Sequence, residues 1–152
     1  MRKKLVVVLA LLCVLAFCMA PASATTSSDQ TTKKTGMTVT PIVGDVMWPK
    51  GSNTGSVTQG TTENFGYTVP AGSTTLSVKV VWGTTASNLG LIVRTPDGIA
   101  YGEFDDATDG SVNGSIALQF QDSPLQSGQW LFFVRGKSVT SSQSFTITIV
   151  SS

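Results

Sequence analysis

The chain has 152 residues with ten Lys and Arg, nine Asp and Glu, two cysteines and no histidine. Without imidazole it lacks the usual general base near neutral pH and the commonest zinc ligand, which excludes Ser-His-Asp and Cys-His catalysis. Beyond residue 24 the chain is near-neutral and weakly acidic with no basic run, which leaves no electrostatic footprint for binding nucleic acid.

At the start of the chain, Arg2-Lys3-Lys4 precedes an unbroken apolar run from Leu5 to Ala20, then Pro21 and Ala22-Ser23-Ala24. Basic head, apolar middle and small-residue A-x-A site make the pattern of a secretory signal over residues 1–24. The run is shorter than the roughly 20 apolar residues a spanning helix wants. A lipoprotein anchored through Cys18 is the competing reading, but Phe17 stands where a small residue is needed. Cleavage after Ala24 removes Cys13 and Cys18 together, so the exported chain relies on packing without a disulfide. It also removes Arg2, Lys3 and Lys4, leaving seven basic against nine acidic residues and a net charge of −2.

Residues 25–40 are rich in Ser and Thr and cannot build a core, so they are expected to act as a spacer. From Met37 to Gly55 apolar residues return in a setting broken by Pro41, Gly44 and Pro49, which suits an edge strand or a draped loop. The domain division expected is therefore a signal over 1–24, a spacer and edge segment over 25–54, and one folded domain over 55–152.

Beyond Ser56 the apolar residues recur with period two. Phe65, Tyr67 and Val69 are followed by Leu76, Val78, Val80 and Trp82, then Leu89, Leu91 and Val93. Ile116, Leu118 and Phe120 come next, then Trp130, Phe132 and Val134, and finally Phe145, Ile147 and Ile149. Six one-sided runs predict half-buried strands, and the mostly polar residues between them predict a wet outer face. Pro70-Ala71-Gly72, Pro96-Asp97-Gly98, Asp109-Gly110, Asn113-Gly114 and Ser127-Gly128 supply turns. No helical spacing appears, so the expected fold is an all-β, antiparallel β-sandwich of about eight short strands.

Several of these segments carry a resemblance. Asn64 to Gly72 with Leu76 to Trp82 resembles the opening strands of the pre-peptidase C-terminal domain of exported bacterial and archaeal proteins. Asn88-Leu89-Gly90-Leu91-Ile92-Val93-Arg94-Thr95-Pro96-Asp97-Gly98 is similar to that family's D-L-D-L-x-L-x-x-P-x-G strand and turn. Gly128 to Val134 and Ser144 to Ile147 resemble its closing strands. The likeness covers about residues 55–150. It implies a jelly-roll-like sandwich without catalytic activity, found beside exported peptidases and surface proteins and associated with secretion, attachment or adhesion. Asn88 and Gly90 replace the two aspartates of the D-L-D pattern, and no peptidase domain accompanies the module here.

Chemistry concentrates in Glu103-Phe104-Asp105-Asp106-Ala107-Thr108-Asp109-Gly110-Ser111-Val112-Asn113-Gly114. Calcium takes six to eight oxygens from flexible loops, which makes Asp105, Asp106, Asp109 and Asn113 a candidate Ca²⁺ set, although the spacing is not that of an EF-hand. The same residue types favour turns on their own account. Asn113-Gly114-Ser115 is both a glycosylation triplet and a tight turn. Gly136-Lys137-Ser138 ends like a phosphate loop, but Leu131 takes the place of its first glycine and no helix follows, so it reads as a turn between strands. Trp82 and Trp130 fall on the apolar beat and belong in the core. Trp48 lies outside any alternation, as a ligand contact or an end plug, and Tyr101 is a second candidate ligand contact.

Three functions fit these residues. The first is an exported noncatalytic module that binds a cell-surface protein or polysaccharide. The second is a structural envelope protein that self-associates through sheet edges. The third is a small carbohydrate-active enzyme using the loop carboxylates, for which such a sandwich offers little cleft.

Overall fold

A computed structural model describes residues 36–44, 48 and 52–152. The signal, Cys13, Cys18 and the spacer up to residue 35 lie outside the described residues, as do the immediate neighbours of Trp48.

The strands in chain order are β1 (Thr38–Pro41), β2 (Ser52–Thr58), β3 (Thr62–Val69), β4 (Thr75–Val81) and β5 (Asn88–Arg94), followed by β6 (Ala100–Asp105), β7 (Ser115–Gln121), β8 (Gly128–Ser138) and β9 (Ser142–Ser151). A single turn of 3₁₀ helix, Asp106–Asp109, stands between β6 and β7. Two sheets form, one ordered β1-β7-β4-β9-β2 and the other β3-β8-β5-β6, with every pairing antiparallel. From β2 to β9 the chain changes sheet at every step except the β5–β6 hairpin, in the order of an eight-stranded jelly roll, and β1 extends one edge. The expected antiparallel sandwich is the observed fold.

All six alternating runs are strands, and their apolar beat points into the space between the sheets. Leu76, Val78 and Val80 from one sheet meet Leu89, Leu91 and Val93 from the other, all fully buried. Phe120 on β7 is the aromatic hub, with its ring edge-on to Tyr101 at 6.0 Å, Phe104 at 6.4 Å and Trp130 at 5.8 Å. Edge-to-face contacts of this kind add to the apolar area each ring buries. Trp130 keeps its indole N–H satisfied by donating to the Gln126 carbonyl at 2.9 Å, and Trp82 donates to Ser87 O at 2.9 Å.

Three strands escape the alternation rule for different reasons. β6 is interrupted by a register shift opposite Leu91 and Val93. That irregularity puts Tyr101 and Phe104, three residues apart, on the same inward side, so the segment reads as loop in a period-two scan. β2 is almost entirely polar and sends only Val57 fully into the core. β1 is short, but Met37 and Val39 anchor it at 4% and 2% exposure. Residues ahead of position 55 thus contribute two sheet edges.

Gly136-Lys137-Ser138 is not a turn but the last stretch of β8. Position 136 must be glycine, because a Cβ there would run into the backbone carbonyl of Thr58. Gly98 and Gly114, both expected at turns, have φ of +87° and +76°.

Candidate functional site

The acidic loop is organised by Asp106. Its neighbour Asp105 ends β6 and caps the 3₁₀ turn, accepting from Ala107 N at 3.2 Å while Asp105 N donates to the Thr108 hydroxyl at 2.8 Å. Asp105 also takes an ion pair from Lys137 Nζ at 2.9 Å, between side chains about one third exposed. Asp106 points the other way and is 3% exposed. Its Oδ1 accepts from the backbone N–H groups of Asn113 and Gly114 at 3.0 Å and of Ser115 at 3.2 Å, and Oδ2 accepts from Gly114 at 3.0 Å. Three backbone donors on one carboxylate compensate the burial of its charge.

The remaining candidates serve local turns. Asp109 Oδ1 accepts from Ser111 N at 2.9 Å, and Asn113 Oδ1 accepts from the Ser115 hydroxyl at 2.6 Å. Among the described residues no three His, Cys, Asp or Glu side chains group around a metal position. Each of Asp105, Asp106, Asp109 and Asn113 is engaged in folding the loop, with Asp106 at its centre.

The two aromatic candidates part company. Tyr101 is 1% exposed and packs on Phe120, so it belongs to the core and is not a surface contact. The bulge in β6 turns it inward. Trp48 is half-buried, with Lys79 Nζ 5.9 Å from its ring centroid. Lys79 points outward from β4, the middle strand of the five-stranded sheet, between inward Val78 and Val80. β1 and β2 occupy opposite edges of that sheet. Trp48 lies on the outer face, not at an end of the sandwich.

A different surface emerges on the four-stranded sheet. Its outward positions on β8 include Leu131, Phe133 and Arg135, and on β5 Ile92 and Arg94. Phe133 pairs with Ile92 across the strands and Leu131 with Arg94. Three large apolar side chains thus stand half-buried side by side on the solvent face. The Arg94 guanidinium lies 5.1 Å over the Phe133 ring. The floor beside them is low, because Gly66 and Gly90 are also outward. The Gln129 amide folds over Gly66, within 2.9 Å of where a Cβ would stand. The Glu103 carboxylate covers Gly90 in the same manner. The sequence holds a signal for this face: Leu91-Ile92-Val93 and Trp130-Leu131-Phe132-Phe133-Val134 are continuous apolar runs where a one-sided strand would alternate.

Comparison with known proteins adds the fold alone. No protein-family model matches the chain. No curated protein matches it. Fourteen chains of known structure do. One is the Clostridium perfringens CspB protease, aligned with a TM-score of 0.52 and 14% identity over 64% of this chain and 25% of that one. The chain spans about a quarter of that protease's length in the alignment, and at this identity the likeness is one of architecture. Among the described residues no helix is long and apolar enough to cross a membrane.

Proposed function

We propose that this protein is an exported, noncatalytic module of the pre-peptidase C-terminal type that binds a cell-surface protein or polysaccharide through the outer face of its four-stranded sheet. The observation that carries the reading is the row of Leu131, Phe133 and Ile92 on a solvent face, with Arg94 laid across it. Large apolar side chains grouped on a surface and rimmed by polar ones are the signature of an interaction site. The residue inventory supports the noncatalytic part. The chain has no histidine. Its clustered carboxylates serve the loop's own hydrogen bonds and the Lys137 pair. The strand and turn of Asn88 to Gly98 fall on β5 and the bend after it, which suits the family resemblance.

Two measurements test this. The amino terminus of the protein recovered outside its host cells should begin at Thr25, and an uncleaved leader or cytoplasmic retention defeats the export part. The purified protein should be retained on isolated cell-surface material, and Phe133→Ser should release it. Retention that is indifferent to Phe133 removes this face from the reading.

A further inference from the structure

The described residues of the domain carry four cations, Lys79, Arg94, Arg135 and Lys137, against seven carboxylates. Three of those four cations, Arg94, Arg135 and Lys137, project from the outward side of β5 and β8. Lys137 is spent on Asp105 at 2.9 Å, whereas Arg94 and Arg135 flank the apolar row and are exposed. Among the described residues, three of the four basic side chains therefore stand around this half-buried apolar row, with the Glu103 carboxylate over Gly90 beside Arg135.

We propose that this face docks a polypeptide whose contact surface alternates carboxylates with aliphatic side chains, with Arg94 as the anchor. The inference rests on the binding reading above and names its partner class. Arg94 is the best placed of the cations. Its guanidinium sits over the Phe133 ring at 5.1 Å, and a planar fork held beside an apolar row can receive a carboxylate in two parallel hydrogen bonds. The same contact argues against a sugar. Carbohydrate rings pack on open aromatic faces, and Arg94 already lies over the Phe133 ring. The rest of the row, Ile92 and Leu131, is aliphatic and complements aliphatic side chains. A second copy is disfavoured as well. A two-fold pair centred on Phe133 brings the Arg94 and Arg135 side chains of both molecules to one interface, and like charges set together there cost affinity.

The test uses the purified full-length protein and synthetic probes. A twelve-residue peptide of alternating Glu and Leu is titrated at low salt while backbone amide resonances are followed. A Lys-Leu peptide, a Glu-Ser peptide and polygalacturonate serve as comparisons. The expected result is a shift of amides on β5 and β8, strongest with the Glu-Leu peptide and weakened by added salt. Arg94→Gln should lower that affinity at least tenfold, Phe133→Ser should lower it too, and Lys79→Gln should leave it unchanged. Retained dispersion of the other resonances shows that each variant is folded. No shift with the Glu-Leu peptide overturns the inference, as does binding that ignores Arg94. Shifts on the same amides with polygalacturonate alone overturn the polypeptide assignment while the binding reading stands. Self-association abolished by Arg94→Gln assigns the face to a second copy instead.

Discussion

Asp106 and Gly114 are joined by both oxygens of the carboxylate, each 3.0 Å from the glycine N–H. Asp106 opens the 3₁₀ turn, and seven residues, including the rest of that turn and the exposed Asn113, lie between it and Gly114. The loop is thus closed on a buried anion and not on an apolar plug. A side chain at Gly114 would add strain, since φ is +76° and a Cβ would stand 2.7 Å from Thr84 N.

Asp106→Asn should destabilise the fold by ~2 to 3 kcal/mol, because the amide loses the charge and sets an N–H donor against backbone N–H donors. For a domain near this size that is a fall in melting temperature of roughly 5 to 10 °C. Urea denaturation followed by tryptophan fluorescence measures it. A loss under about 0.5 kcal/mol would mean that the carboxylate does not organise the loop.

Calcium at millimolar concentration is expected to leave the melting temperature unchanged. The central member of the Asp105, Asp106, Asp109 and Asn113 set has both oxygens turned toward backbone N–H groups. A ligand that binds only the folded state at a hundred times its Kd adds about 2.7 kcal/mol, which a thermal scan against a chelator would register. Such a rise, lost in Asp109→Asn, would assign the loop a cation.

Glu63 is a charge pointing inward from edge strand β3, and its carboxylate accepts from Ser56 N of edge strand β2 at 2.7 Å. Inward charges on edges oppose pairing with another chain. Glu63→Val should therefore raise the associated fraction in sedimentation experiments relative to the unmodified protein. An unchanged distribution at high concentration would show that these edges are guarded by something else.

Trp48→Ala should cost about 1 to 2 kcal/mol, the worth of a cation–π contact with Lys79 together with the half-buried ring's apolar area. Phe120→Ala, at the aromatic hub, should cost about 3 to 5 kcal/mol. Equal losses in chemical denaturation would contradict the placement of Trp48 on an outer face.

The legible part of the fold is the part with regular alternation. Leu76, Val78 and Val80 read correctly because side-chain direction in a strand follows from position alone. Tyr101 stayed undecided in sequence because the bulge facing Leu91 and Val93 shifts the period, and that bulge is a property of two strands together. The acidic loop was legible as a feature, but not in how its carboxylates divide. Aspartates in a row look equivalent, and only the return of the chain into β7 brings the Asn113, Gly114 and Ser115 amides onto Asp106 and leaves Asp105 for Lys137.

By itself the sequence determined the all-β class, the inward face of six strands, the turns after them and the exclusion of histidine-dependent chemistry, since all of these depend on residue type and local period. Tertiary structure alone decided which strands share a sheet and that residues 38–41 and 52–58 form opposite edges. It also set Ile92, Leu131 and Phe133 side by side under Arg94. Those relations join residues some forty positions apart, and only strand pairing fixes the register that makes them neighbours.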